Sequence, residues 1–100
     1  MPPIPFSIPT SAVLETILVI VSAESGARVV VRDSEYLRAE FRSRVLRLVD
    51  EVEFLVDSTD KLVHFRSASR GGTRPDFGAN RRRMTHLSEL IAARVASHGQ

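Results

Sequence analysis

The chain has 100 residues, 43% of them apolar and 26% charged, with 14 basic side chains against 12 acidic ones. That length fits one small domain, and the composition is that of a folded chain rather than a disordered one. Cysteine is absent, which excludes disulfides, thiolate nucleophiles and zinc–cysteine sites, and a net charge of +2 lacks the broad basic surface of a general nucleic-acid binder.

Residues 1–9 hold four of the five prolines and read as an extended lead-in to a single domain over 10–97. Thr10 or Ser11 is the expected cap of a helix running to about Ser25, with Gly26 as its stop. Val13, Leu14, Ile17, Leu18 and Val21 form its apolar face, with Glu15 and Ser22 on the other side. The β-branched run from Ile17 to Val21 also suits a buried strand, but length and caps favour a helix. That run is the longest apolar one and is far short of the ~20 residues that cross a bilayer. Met1 to Pro5 lacks the basic start of a signal peptide, so the default expectation is a cytoplasmic protein.

Four strands are expected next. Ala27 to Arg32 is short and β-branched, and Asp33, Ser34 and Glu35 supply a turn. From Tyr36 to Val45 the residues alternate, with Leu37, Ala39, Phe41, Ser43 and Val45 on the core side. Glu51 to Asp57 alternates likewise, with Val52, Phe54 and Val56 inward. Ser58 to Lys61 forms a hairpin loop, and Leu62 to Ser69 returns with Val63 and Phe65 inward. A glycine-rich loop, Gly71 to Gly78, leads to a last helix capped by Asn80 and ending near Ser97. Its residues Met84, Leu87, Ile91 and Val95 repeat at helical spacing. The expected fold is α+β: helix, four-stranded antiparallel meander, helix, with both helices on one face of the sheet.

The densest chemistry lies between Arg66 and Arg83, where six arginines share the span with one acid, Asp76. Arginine at this density fits bidentate capture of carboxylate or phosphate, although GC-rich coding produces the same bias. Within Arg66-Ser67-Ala68-Ser69-Arg70, a regular strand turns both arginines to water and both serines to the core. Arg81 and Arg83 then stand in the first turn of a helix, whose free N–H groups already carry positive potential. Cations placed there invite an anion.

Four blocks resemble the DUF1499 family, a group of domains of unknown function. They are Tyr36-Leu37-Arg38-Ala39-Glu40-Phe41-Arg42-Ser43, Val49-Asp50-Glu51-Val52-Glu53-Phe54, Arg66-Ser67-Ala68-Ser69-Arg70, and Gly78-Ala79-Asn80-Arg81-Arg82-Arg83. The last resembles the family pattern Gly-Val-Asn-Arg-x-Arg, preceded by an Asp that matches Asp76. The similarity extends from Ile4 to about Val95. It departs where the family has Asp-Asp and this chain has Asp50-Glu51, and in a slightly longer loop over Gly71 to Pro75. Many members also carry an upstream Cys-Pro…Pro-Asn-Cys-Val-Ser-Ser segment that is not in this sequence. The resemblance implies a fold and a shared site but no activity.

The candidate site is therefore Arg66, Ser67, Ser69, Arg70, Asn80, Arg81 and Arg83, as a place for an external anion or partner. Three readings compete: structural pairing of Arg66, Arg70 and Arg81 with Asp50, Glu51 and Asp76; a small anion, anionic lipid head or acidic protein surface; and plain solvated charge. The functional expectation is a non-catalytic binding or scaffold domain without cofactor or metal. The alternative is a hydrolase-like or transferase-like enzyme using Asp50, Glu51 or His64, and a weak nucleic-acid binder is a further one. The histidines show no ligand spacing, no phosphate-binding Gly-Lys-Ser/Thr follows the glycines, and aromatic residues are too few for an RNA-binding sheet.

Overall fold

Period-two alternation and two helical stripes produce a sheet covered on one side. In the computed structural model the described residues are 2–42, 49–70 and 79–96, with the backbone alone at 69, 70, 79 and 80. In chain order they form β1 (Ile4–Pro5), α1 (Thr10–Ser22), β2 (Ala27–Arg32), β3 (Tyr36–Arg42), β4 (Val49–Asp57), β5 (Leu62–Arg70) and α2 (Ala79–Val95). The strands make one antiparallel sheet in the order β1-β5-β4-β3-β2.

The sheet has five strands rather than the four expected. The added one comes from the proline-rich lead-in: Ile4 pairs with Val63 and Pro5 with Leu62 at the sheet edge. Proline is tolerated there because an edge strand can leave its missing N–H on the solvent side. Ile4 and Phe6 are buried, so these residues also close the core. At the opposite edge, β2 carries an irregularity between Val29 and Val31.

The core lies between the helices and the inner face of the sheet. Leu37, Ala39 and Phe41 of β3, Val52, Phe54 and Val56 of β4, and Val63 of β5 meet Val13, Leu14, Ile17, Ile20 and Val21 of α1 and Met84, Leu87, Ile91 and Val95 of α2. Each predicted residue of α2's stripe is buried. In α1 the buried face includes Ile20, whereas Leu18 is only partly covered. Among the described residues no helix lies over the opposite, outer face of the sheet.

Three expected boundaries shift. Pro9, not Thr10 or Ser11, holds the capping position of α1, and its carbonyl accepts from the N–H groups of Ala12 and Val13. Its fixed φ suits that position. α1 ends at Ser22, before Gly26, which belongs instead to the tight turn into β2 with φ +77°. A Cβ there would meet the Arg42 carbonyl oxygen at 2.6 Å, and Arg42 N–H donates to the Gly26 carbonyl, so the close approach needs glycine. α2 begins at Ala79, which places Asn80 within the first turn rather than before it. The expected strand residues Ser43 to Val45, the loop Gly71 to Gly78 and the helix end at Ser97 lie outside the described residues.

The Ser58–Lys61 hairpin forms as expected. The Asp57 carboxylate accepts from the backbone N–H groups of Thr59 and Asp60, and Lys61 takes φ +59° to bring the chain back. That geometry fixes the β4–β5 register, with Asp57 opposite Leu62.

Candidate functional site

Register decides which charged side chains share a face. Across β3, β4 and β5 the inner face carries the rows Leu37–Phe54–Phe65, Ala39–Val52–Ser67 and Phe41–Asp50–Ser69. The outer face carries Tyr36–Leu55–His64, Arg38–Glu53–Arg66 and Glu40–Glu51–Ala68. The RSASR block therefore contributes to both faces, as its alternation predicts. Arg66 is exposed on the outer face, and Ser67 is half-buried on the inner one.

On the inner face, Asp50 is 2% exposed and is the one buried charged residue among those described. A buried carboxylate requires a partner. Arg83, in the second turn of α2, donates from Nη1 to Asp50 Oδ2 at 2.8 Å. Its guanidinium also stacks over the Phe41 ring, 4.7 Å from the centroid. Such stacking suits the weakly hydrated, planar guanidinium. The pair ties α2 to the sheet where the core ends.

On the outer face, Arg66 donates to Glu53 Oε1 from Nη2 at 2.6 Å and from Nε at 3.0 Å. Tyr36 donates its hydroxyl to the other oxygen, Oε2, at 2.6 Å. These bonds hold the Glu53 carboxyl below its usual range: the Tyr36 hydrogen bond contributes most, then the Arg66 hydrogen bond, against a smaller opposing effect of burial. The Tyr36 phenol is pushed above its usual value, chiefly by that same hydrogen bond. The Arg66 guanidinium is shifted upward by Glu53.

Beside this network the outer face opens into a recess of about 380 Å³ lined by Tyr36, Glu53, Leu55, His64, Phe65 and Arg66. Leu55 is 49% exposed although it sits mid-sheet. His64 Nε2 lies 3.9 Å from Asp57 Oδ2.

Asp50 faces inward and binds Arg83, and an acid that binds Arg66 is Glu53. Asp50 and His64 fall on opposite faces, so those two are not assembled at one place. Arg66 and Arg83 are likewise divided between the faces. Arg81 is exposed on α2, whose first turn holds no acid. Asp76 and the side chains of Ser69, Arg70 and Asn80 lie outside the described residues. Among the described residues no cluster of three His, Asp or Glu side chains has metal-site geometry, and no helix is long and apolar enough to cross a membrane.

Glu53, Tyr36 and Leu55 were not among the candidates drawn from sequence. The hairpin register carries the first of these, because counting back from Ser58–Lys61 sets Glu53 opposite Arg66. The exposed mid-strand Leu55 was visible as the apolar residue out of phase with Phe54 and Val56.

Among curated proteins and among solved structures, none matches the chain. The family model described as "Protein of unknown function (DUF1499)" matches residues 1–91. The burial of Asp50 against Arg83 and the placement of Arg66 at an open face give physical content to blocks shared with that pattern, and the chain belongs to the DUF1499 family.

Proposed function

We propose that this domain is a non-catalytic binding module whose outer sheet face receives the anionic group of a ligand at Arg66. One observation supports the reading: a recess of ligand size opens on that face, with a pre-positioned guanidinium at its rim. Glu53 holds the Nε–Nη2 edge of Arg66, which orients the fork. The side chain is nevertheless 80% exposed, so the edge formed by Nη1 and the second N–H of Nη2 is open to an incoming acceptor. Orientation by an internal partner lowers the ordering cost of binding. Arg81 and Arg82 stand on a helix that packs against the opposite face and serve as a control.

The test is a titration of the full chain with phosphate, sulfate and citrate, followed by thermal shift and by amide chemical shifts. Stabilisation that Arg66→Gln abolishes and Arg81→Gln preserves is the expected result. A response to anions indifferent to Arg66→Gln, or no response to any anion, sinks the reading.

A further inference from the structure

Resting on that reading, we infer that the ligand is a small monocarboxylate with a short apolar body. The recess offers two chemistries a few ångströms apart. One is the open edge of Arg66, which presents two parallel N–H groups. A carboxylate matches that fork with both oxygens in one plane. The other is apolar surface: Leu55 is exposed at mid-sheet, in register between Tyr36 and His64, so the three side chains form a continuous row beside the charged one. A free inorganic anion leaves that row in water. A ligand with a hydrocarbon or aryl body covers it, and each buried methylene contributes roughly 0.8 kcal/mol.

The Glu53 carboxylate lies within the recess lining and already binds Arg66, and Arg38 stands opposite Glu53 in the same row. A single carboxylate is matched by the open edge of one guanidinium. A recess of about 380 Å³ is at the small end of ligand pockets, which suits a short apolar body.

The experiment compares hexanoate and benzoate with inorganic phosphate and sulfate, each titrated into the full chain, Arg66→Gln and Leu55→Ser. Leu55 is exposed, so its replacement leaves the fold intact, which the amide spectrum verifies. Hexanoate and benzoate are expected to bind more tightly than phosphate or sulfate, with binding weakened roughly tenfold by Leu55→Ser and lost in Arg66→Gln. Phosphate or sulfate binding as tightly through Arg66, or carboxylate affinity indifferent to Leu55→Ser, overturns the carboxylate assignment while leaving Arg66 as an anion site. Silence from all four anions overturns both.

Discussion

The two faces of the β4–β5 hairpin use the same kind of ion pair under opposite conditions. On the inner face Asp50 and Arg83 are shut between α2 and the sheet, with Phe41 under the guanidinium. On the outer face an exposed Arg66 meets a half-buried Glu53, joined by Tyr36. The inner pair is held in place, because a charge left alone there is costly. The outer pair can exchange partners with solvent or ligand at small cost. One face of the sheet thus carries an ion pair that ties down α2, and the other an ion pair whose arginine is open to solvent.

The contrast is sharpest between adjacent residues. Phe54 is fully buried and meets Phe65 with ring centroids 6.2 Å apart, whereas Leu55 is exposed. Phe54→Ala is expected to cost about 3–5 kcal/mol in urea unfolding, and Leu55→Ala to stay within about 0.5 kcal/mol. Similar costs at the two positions would mean that the sheet is covered on both sides.

Breaking the inner ion pair comes next in size. Asp50→Ala removes a buried carboxylate that binds Arg83 and is expected to cost about 3 kcal/mol, a large fraction of the stability of a domain this small. Replacing both partners, Asp50→Leu with Arg83→Met, should cost less than Asp50→Ala alone, since both charges of the bridge leave together. If the double variant is instead the less stable one, the pair is a net source of stability rather than a mutually compensated burden.

Much of this architecture was legible because alternation and helical spacing are local. The phase that buries Val52, Phe54 and Val56 also buries Asp50, one step earlier on the same strand. The spacing that buries Leu87 and Ile91 brings Arg83, four residues before Leu87, over the sheet. Both residues could have been assigned to the core by extending those patterns by one period. Their charge, however, invites a surface reading. The fifth strand was hidden for a different reason: Ile4–Pro5 is a two-residue pairing, too short to show a period, and it forms only because β5 offers an edge. The outer row Arg38–Glu53–Arg66 is half legible. The short hairpin fixes Glu53 against Arg66, whereas the β3–β4 pairing depends on a longer connection whose register the sequence leaves open.

On the outer face, Glu53→Gln is expected to change stability by no more than about 1 kcal/mol near neutral pH, because the pair it disrupts is largely solvated. A loss comparable to that of Asp50→Ala would erase the distinction between the faces.

The smallest effect is also the most diagnostic, because one hydrogen bond governs two titrations at opposite ends of the pH scale. The Tyr36 hydroxyl donates to a charged Glu53, which favours the ionised carboxyl and the neutral phenol. For Glu53 the folded-state pKa is depressed, so its contribution to stability is complete above the unfolded value of about 4.3 and is lost as pH falls through the folded value. For Tyr36 the folded-state pKa is raised, so its contribution is complete below the unfolded value of about 10 and is lost as pH rises through the folded value. Tyr36 is the only tyrosine in the chain, and phenolate absorbance therefore reports on it alone. Wild-type protein is expected to form phenolate at higher pH than free tyrosine, and Glu53→Gln to bring that titration back toward the ordinary value. The same variant should flatten the acid limb of the stability curve. Phenolate formation at the ordinary pH in the wild type would show that Tyr36 and Glu53 are apart in solution, and with them the ordered rim of the recess at Arg66.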